Sequence, residues 1–275
     1  MKNLTQYINE QNGYVYANGG DEFYTRMRDI EKELKNYNFR GKTIYCNCDD
    51  PSFSNFYKYF YDNFKRIGIK HLIATYYDEN PLRYDYDGEN ETTQEIESGR
   101  FQDNDDIMNE CDIVVTNPPF SESMPQELIR LCLKNKCDFI IVSPLHLSYK
   151  EPLYSLLKND KARCGFTSIN TFDRPAGYEK KNKNVPCAWY TSLPVPKNDL
   201  ITNKSINDYD YTFDDYGKYL NCAYYKTIPD DYDGLIATSV RFITHINQDQ
   251  FKILGHGIIK VNGKDSMERF FIKRK

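Results

Sequence analysis

The chain has 275 residues, which is enough for one large hydrophobic core, or for one core with an appended lobe. Its 36 basic and 40 acidic residues give a net charge of −4, which argues weakly against a nucleic-acid partner. No apolar run approaches the roughly 20 residues of a membrane helix. The first residues show no secretory or transit pattern, so we expect a cytoplasmic protein.

Charge is unevenly distributed along the chain. Residues 78–106 contain eleven acidic residues and two arginines, a net of −9, so the remainder of the chain carries +5. The positive charge is concentrated in two stretches, Arg174 with Lys180, Lys181 and Lys183, and the tail residues Arg269, Lys273, Arg274 and Lys275. One such stretch alone is typical of a solvated surface, whereas two together would neutralise several phosphates.

The sequence contains eight cysteines. Six of them fall in or beside apolar segments: Cys46, Cys111, Cys132, Cys137, Cys164 and Cys187. Because no secretion signal is present, we expect buried free thiols rather than disulfides. Cys46 and Cys48 are close enough in sequence to be a pair of metal ligands. No second cysteine or histidine pair follows at zinc spacing, so we predict no metal site.

Strand-like and helix-like segments alternate through the first half of the chain. The first strand is predicted over Thr43–Asn47, and Ser54 is the predicted N-cap of the helix that follows. Apolar residues recur at helical spacing up to Gly68, which ends this helix: Phe56, Tyr59, Phe60, Phe64 and Ile67. A second strand is predicted over 70–75, ahead of the acidic stretch.

Two further strands are predicted over 111–117 and 137–143, with a helix between them. Ser123 and Gln126 have the spacing of a capping box at the start of that helix. The apolar face of the helix comprises Leu128, Leu131 and Cys132. Strands separated by helices indicate crossover connections, and therefore a largely parallel sheet that is covered on both faces.

The composition changes from about Phe166 onward, where Asn, Asp and Tyr become frequent. Short β-like runs occur at 185–193, 234–240, 251–263 and 269–275. We therefore predict an α/β core over residues 1–165. Residues 166–275 are predicted to contain the end of the core sheet and a smaller, mostly β lobe. Trp189, the single tryptophan, is expected in the core.

Three predicted loops follow the carboxyl ends of strands, which is where an open parallel sheet binds its ligands. Asp49, Asp50 and Pro51 follow the first strand, Tyr76 and Tyr77 follow the second, and residues 117–120 follow the third. We expect these loops to converge on one crevice. Asp49 and Asp50 also have a structural alternative, as carboxylates at the positive end of the next helix.

Residues 117–120 read NPPF, with two prolines that cannot donate backbone hydrogen bonds. The prolines stiffen the loop and leave carbonyl oxygens free, so Asn117 Oδ1 and the Pro118 carbonyl can accept from one planar amino group. Phe120 offers a ring for stacking, worth about 1–3 kcal/mol for a nucleobase. The alternative is a structural Pro-Pro turn with a buried phenylalanine.

Six strings share one order along the chain: DEFYTR, GKTIYCNCDDPSFSNFYKYF, DIVVTNPPF, WYTSL, IPDDYDGLIATSV and VNGKDSMERFFIKRK. Together they resemble the EcoRI family of adenine-specific DNA methyltransferases, from about Asp21 to Lys275. The resemblance implies a Rossmann-like methyltransferase sheet with S-adenosylmethionine as methyl donor. It also implies that NPPF grips the target amine, which makes Asn117, Pro118, Pro119 and Phe120 the expected catalytic residues.

The resemblance also implies which residues bind the cofactor. Phe23, Tyr24 and Thr25 match the segment at its methionine end. Asn47, Asp49, Asp50, Pro51 and Phe53 belong to the loop that cradles it, although this loop lacks the glycines usual in methyltransferases. Phe101 lies where the family approaches the cofactor adenine. Arg100 stands where an acid is often found, so the expectation is that Asp103, Asp105 or no residue at all serves the adenine amine.

The reaction implied by the resemblance is methyl transfer to the 6-amino group of an adenine flipped out of double-stranded DNA. The DNA contacts are assigned to Lys180, Lys181, Lys183, Lys273 and Arg274. A companion restriction endonuclease is compatible with such an enzyme. Three alternatives remain open: an RNA methyltransferase, a protein-glutamine methyltransferase, and a DNA-binding module whose cofactor pocket has decayed.

Overall fold

The structure, a computed structural model, describes residues 23–76, 80–120, 123–173, 182–261 and 264–275. These residues form a mixed α/β fold with one eight-stranded and one five-stranded sheet. The chain divides into two units. Unit 1 comprises Met1–Pro144 and Gly165–Leu193, and unit 2 comprises Leu145–Cys164 and Pro194–Lys275.

The large sheet has the strand order β4-β3-β2-β1-β5-β6-β8-β7. Its strands are β1 (Thr43–Asn47), β2 (His71–Thr75), β3 (Leu82–Tyr86), β4 (Glu91–Glu95), β5 (Ile113–Thr116), β6 (Asp138–Pro144), β7 (Arg163–Asp173) and β8 (Asn182–Thr191). The helices of unit 1 are α1 (Met27–Leu34), α2 (Asn55–Asp62), α3 (Phe64–Ile67), α4 (Asp105–Glu110) and α5 (Met124–Asn135).

The four central strands β2, β1, β5 and β6 are parallel, whereas β3, β4 and β8 pair antiparallel on either side of them. Every residue of β1 and β5 is buried, as expected for parallel strands with both faces covered. The four strands predicted in the first half of the chain are therefore confirmed, as is the mixed α/β class. The finer Rossmann-like assignment stays a prediction.

The helix predicted after β1 begins where expected but is divided in two. Ser54 is its N-cap, and the Ser54 hydroxyl oxygen accepts from the backbone N–H groups of Phe56 and Tyr57 at 3.1 and 3.3 Å. The helical conformation is interrupted at Asn63, whose φ is −109°, and α3 then continues to a left-handed Gly68 with φ +75°. Glycine adopts that conformation without a Cβ clash, which is why the helix ends there.

The capping box predicted for α5 is wrong in its hydrogen bonding. Ser123 is the N-cap residue, but its side chain makes no capping hydrogen bond. Gln126 is buried, and its Oε1 atom has no partner. Pro125 lies in the first turn, where a missing N–H group costs nothing, so the helix begins without the side-chain cap.

The acidic stretch forms a hairpin, β3 and β4, that the apolar pattern did not predict. All five residues of β4 are exposed, and the strand lies at the edge of the large sheet. The turn is built on Asp87, whose carboxylate accepts from the N–H groups of Glu89 and Asn90 at 2.9 and 2.7 Å. Acidic residues on an edge strand prevent pairing with other chains, which accounts for this composition.

The described residues of unit 2 form one α-helix, α6 (Leu153–Lys158), and the small sheet with strand order β12-β13-β11-β10-β9. The strands are β9 (Thr212–Asp214), β10 (Gly217–Cys222), β11 (Ile236–Thr238), β12 (Phe251–Val261) and β13 (Lys264–Arg274). The β-like runs predicted in the C-terminal third are confirmed as β8, β11, β12 and β13.

Buried residues agree with two further predictions. Trp189 is fully buried in the core of unit 1. None of the eight cysteines, all of which lie in the described part of the chain, forms a disulfide bond, and the six predicted to be buried are buried. Among the described residues, no helix has the length and apolar character needed to cross a membrane.

Candidate active site

The loops that follow β1, β2 and β5 meet at the carboxyl ends of these central strands, along one side of the large sheet. The backbone N–H of Asp49 donates to the carbonyl of Thr75, the last residue of β2, at 3.1 Å. The hydroxyl of Thr116, the last residue of β5, lies 2.7 Å from Asp49 Oδ2. Convergence at the carboxyl ends of these parallel strands agrees with the expected crevice. Tyr77 lies outside the described residues.

Asn117 is held in one orientation by the segment that begins at Phe23. Its Nδ2 group donates to the carbonyl oxygen of Phe23. That bond leaves Oδ1 as the other end of the amide, and this oxygen is shielded from solvent with no hydrogen-bond partner in the described part of the chain. A buried acceptor left unpaired costs about 1–3 kcal/mol, so the loop presents an acceptor that a bound donor would satisfy.

The remaining residues of NPPF hold this orientation. Pro118 is buried, while Pro119 and Phe120 are half-buried. The Phe120 ring lies 5.5 Å from the ring of Phe23 and 5.7 Å from that of Phe172, measured between centroids. Two fixed proline φ angles and these ring contacts make the loop rigid.

Asp49 connects the loop that follows β1 (the β1 loop) to the end of β5, from which residues 117–120 continue. Its Oδ1 atom accepts from the Ser54 hydroxyl at 2.6 Å, and its Oδ2 atom lies at hydrogen-bonding distance from Thr116. Burial raises the pKa of Asp49 from 3.8 to about 7, although the hydrogen bonds of Ser54 and Thr116 oppose the shift. The carboxyl group therefore titrates near neutral pH.

A proton count agrees with a protonated Asp49. The Thr116 hydroxyl has one hydrogen but lies within bonding distance of two acceptors, Asp49 Oδ2 and the Asn47 carbonyl. If Asp49 carries a proton, it donates to Thr116, and Thr116 then donates to Asn47. Every atom of this buried group is satisfied in that state.

The segment Phe23, Tyr24 and Thr25 is fastened to the same edge. Tyr24 exchanges both backbone hydrogen bonds with Asp173 at 2.9 Å, and the Thr25 carbonyl accepts from Asn55 Nδ2 at 2.8 Å. The hydroxyl of Thr25 is buried without a partner. Phe23 and Tyr24 are half-buried. Phe23 lies against Phe120 in the loop after β5, and the Tyr24 ring lies 5.4 Å from the ring of Phe53 in the β1 loop.

The other residues assigned to the cofactor differ in whether their side chains are exposed and able to contact a ligand. Phe53 is 58% exposed, whereas Asp50 and Pro51 are half-buried. Asn47 is fully buried, with its amide bonded to Cys48 and Tyr45. Phe101 is also buried. The groups that fit a ligand at this edge are therefore Phe23, the Thr25 hydroxyl and Phe53, while the Asn47 and Asp49 side chains are engaged within the protein.

Asp103 and Asp105, the two acids considered for the adenine amine of the cofactor, differ in how many of their carboxylate oxygens already have partners. Both carboxylate oxygens of Asp105 are occupied, one by Lys134 and the other by Asn135 Nδ2 at 2.8 Å. Asp103 accepts from the Ser98 hydroxyl at 2.7 Å through one oxygen. Asp103 is consequently the acid with more remaining hydrogen-bonding capacity.

Two residues of the site were missed from the sequence. Thr116 was read only as the end of a strand, although a polar residue at the last buried strand position is a signal for a hydrogen bond. Cys48 takes a left-handed φ of +64°, which is uncommon outside glycine. The β1 loop thus makes its sharp turn at a cysteine, which explains how it forms without the glycines usual in methyltransferases.

The residues assigned to DNA contacts are placed as follows. Lys183 and Lys273 are exposed. The guanidinium of Arg274 donates to the Pro229 carbonyl at 3.0 Å and to Asp230 at 3.3 Å, so it is engaged within unit 2. Lys180 and Lys181 lie outside the described residues.

Comparisons with known proteins identify the family of the chain. Residues 15–274 match the profile of the family described as "Adenine-specific methyltransferase EcoRI". The Type II methyltransferase M.EcoRI of Escherichia coli is 32% identical, over 93% of either chain. Relatives from Mycoplasma genitalium (M.MgeORF184P, 28% identical) and Mycoplasma pneumoniae (M.MpnI, 26% identical) are also named Type II methyltransferases, and each aligns over 85% of this chain and 82% of its own. No solved structure matches significantly.

Proposed function

Because the chain belongs to the adenine-specific EcoRI methyltransferase family, we propose that it methylates the 6-amino group of adenine in double-stranded DNA, with Asn117 as the central catalytic residue. The observation that carries this proposal is the shielded, unpartnered Oδ1 of Asn117, fixed by the donation of Nδ2 to Phe23. An acceptor oriented in advance matches an amine that bears two hydrogens.

S-adenosylmethionine is the proposed methyl donor. In support, Phe23 contacts Asn117 and Phe120 in the loop after β5, the buried Thr25 hydroxyl has no partner among the described residues, and the exposed ring of Phe53 belongs to the loop after β1. Tyr24 belongs to the same surface through its ring contact with Phe53. Asn47 and Asp49 contribute by shaping the loop rather than through free side-chain atoms.

Asn117 and Pro118 act on the adenine amine through two acceptor oxygens. The amine is a weak nucleophile because its lone pair is delocalised into the ring. Acceptors on its hydrogens stabilise the positive charge that develops as nitrogen becomes tetrahedral. Among the described residues, none donates a hydrogen bond to the Pro118 carbonyl, which leaves that oxygen available beside Asn117 Oδ1. No base with a shifted pKa is needed before attack.

Adenine reaches these acceptors only when it is flipped out of the duplex, at a cost of a few kcal/mol. Stacking on the half-buried ring of Phe120 offsets part of that cost. The rings of Phe23 and Phe172 brace Phe120 from the protein side. The ring is thereby held in place before the base arrives.

The two parts of the chain have separate proposed roles. The N-terminal part carries out catalysis, and the C-terminal lobe recognises the DNA target, with Lys183 and Lys273 as exposed candidates for phosphate contacts. The names of the relatives support assignment to a Type II modification system, in which a companion endonuclease is the expected partner. The cytoplasmic location follows from the genomic substrate.

The test is methyl transfer by Asn117 variants from tritiated S-adenosylmethionine to genomic DNA that lacks adenine methylation. We expect Asn117→Ala to lower the rate about a hundredfold to a thousandfold, because it removes one preorganised acceptor. Cofactor affinity, measured by calorimetry, should change only a few-fold. Asn117→Asp is the matched control: it keeps acceptor oxygens but sets one against the Phe23 carbonyl, so an intermediate loss is expected.

Full turnover by Asn117→Ala would refute the catalytic assignment. The identity of the labelled product separates the alternatives, since tritium in RNA or protein instead of DNA would identify a different methyltransferase. A wild-type protein that binds DNA but no S-adenosylmethionine would be the decayed module.

A further inference from the structure

Strand β13 carries two largely buried arginines with contrasting surroundings. Arg274 donates to the Pro229 carbonyl and to Asp230, and its guanidinium lies 4.8 Å from the ring centre of Phe251. Arg269 is 7% exposed, and its hydrogen-bonding contact is a long one, from Nη1 to the Glu268 carbonyl at 3.4 Å. The Nε atom of Arg269 is buried, and no residue that the structure describes accepts a hydrogen bond from it.

No carboxylate in the described part of the chain neutralises Arg269. The adjacent Glu268 turns its carboxylate to His256, at 2.6 Å from Nδ1. The residue opposite Arg269 on β12 is Gly257, which has no side chain. A buried guanidinium without a counter-charge is one of the least favourable groups a fold can contain, and it persists where a ligand completes it.

A second unpartnered polar atom lies on the same face of the small sheet. Asn221, Ala237 and Phe271 are paired across β10, β11 and β13, and Arg269 lies two residues from Phe271 on the same side. The Oδ1 atom of Asn221 is buried and accepts no hydrogen bond. This face therefore offers one unused donor group and one unused acceptor.

Tyr216 covers part of this face. A Cβ atom on Gly257 would lie 2.2 Å from the hydroxyl of Tyr216, so glycine allows Tyr216 to lie over this row. Tyr216 is itself 44% exposed, so the covering side chain borders solvent, and access of a ligand to the row requires that side chain to rotate. Lys252 and Lys273, paired on the same face of β12 and β13, are exposed and suited to flanking phosphates.

We propose that Arg269, assisted by Asn221, reads a base edge of the DNA target, with the guanidinium donating to O6 and N7 of a guanine. This inference rests on the proposed function, because it requires DNA as substrate. A phosphate offers acceptors only and would leave the Asn221 oxygen unpaired, whereas a base pair presents both donors and acceptors in the major groove. Exposed lysines already suit the phosphates.

The experiment compares Arg269→Met with Arg274→Met in the full-length protein. The probes are a duplex that carries the site methylated by the wild-type protein, mapped by sequencing modified adenines, and a scrambled duplex. We expect Arg269→Met to keep or raise Tm, because an apolar side chain replaces an unpaired buried charge. Its affinity for the site should fall about tenfold to a hundredfold, with scrambled DNA bound as before.

Arg274→Met serves as the matched control on the same strand. It breaks an ion pair and a carbonyl contact, so Tm should fall while the folded protein still prefers the site over scrambled DNA. Arg269→Lys retains the charge but not the two-pronged donor geometry, and it should bind the site almost as weakly as Arg269→Met.

Replacing each guanine of the site with 7-deazaguanine identifies the contact. One replacement should weaken wild-type binding and leave Arg269→Met unaffected. Equal weakening on all duplexes with a smaller salt dependence would indicate a phosphate contact and overturn the proposal. A lower Tm with unchanged discrimination, or a site without a G·C pair, would also overturn it. If the wild-type protein methylates no adenine in DNA, the proposed function fails instead.

Discussion

The loops after β5 and β1 adjoin each other but use their polar groups in opposite ways. In the β5 loop, Asn117 donates inward to Phe23 and keeps its acceptor oxygen free. In the β1 loop, both oxygens of Asp49 are engaged with Ser54 and Thr116. The loop after β5 therefore keeps an acceptor oxygen unbonded, whereas the loop after β1 uses its carboxyl group to hold the two loops together.

Thr116 joins the two loops. It precedes Asn117 in the chain and contacts both Asp49 and the Asn47 carbonyl. We therefore expect a change in the β1 loop to be transmitted to Asn117 through one buried hydroxyl. The division of labour predicts that β1-loop variants alter stability and positioning, whereas Asn117 variants alter chemistry alone.

The largest effect expected within the β1 loop is a change in the pH dependence of stability at Asp49. The folded state favours the protonated acid, since its pKa is raised from 3.8 to about 7, so this group's contribution is full at low pH and is lost as pH rises toward 7. Asp49→Asn keeps the protonated geometry at every pH. Its stability relative to wild type should grow by about 2–3 kcal/mol between pH 5 and 8, measured by denaturant unfolding.

Asp49→Ala is the comparison variant. It leaves Ser54 and Thr116 without their carboxyl partner, so it should be destabilised at every pH. A difference between Asp49→Asn and wild type that stays constant from pH 5 to 8 would contradict a protonated Asp49.

A smaller effect is expected from Thr116→Val, which removes the hydroxyl at nearly constant shape. The buried Asp49 Oδ2 and Asn47 carbonyl then lose a partner, at about 1–3 kcal/mol of stability. Single-turnover methyl transfer should also slow, because Asn117 is less firmly positioned, with cofactor affinity changed less. Thr116→Ser restores the hydroxyl and should recover both properties. If Thr116→Val kept wild-type stability and rate, the proposal that Thr116 connects the two loops would be contradicted.

The smallest effect on stability is expected at Phe53, the outward-facing member of the β1 loop. Its ring is 58% exposed, so Phe53→Ser should change the free energy of unfolding by no more than about 0.5 kcal/mol. The affinity for S-adenosylmethionine, measured by calorimetry, should nevertheless fall. Unchanged affinity would remove Phe53 from the cofactor site and leave the β1 loop with a purely structural role.

Local patterns were sufficient for much of the fold. Strand β1 was predicted at its observed bounds, and Ser54 was identified as the N-cap of the following helix. The hairpin of β3 and β4 was missed because β4 has no apolar residue and the alternating Leu82, Tyr84 and Tyr86 of β3 lie within an acidic stretch, although Asp87 and Gly88 form the Asp-Gly pair that commonly marks a hairpin turn. The break at Asn63 and the missing cap bond at Ser123 depend on contacts that spacing alone does not specify.

The candidate site divides in the same way. The NPPF loop was recognisable in the sequence because two prolines after a buried strand stiffen their own loop, whatever lies near that loop in the fold. The role of Asp49 was not, because an acid in a loop looks the same whether it faces a ligand or bonds to a threonine 67 residues later. Likewise, the sequence shows Arg269 and Arg274 as equal parts of one basic tail.

The sequence by itself determined the alternation of strands and helices, the rigid acceptor loop and the family resemblance, because each rests on neighbouring residues or on the order of short strings. Only the tertiary structure decided which polar atoms have partners, since partners come from distant parts of the chain. That pairing leaves Asn117 Oδ1 and Arg269 Nε unsatisfied and closes Asp49 within the protein.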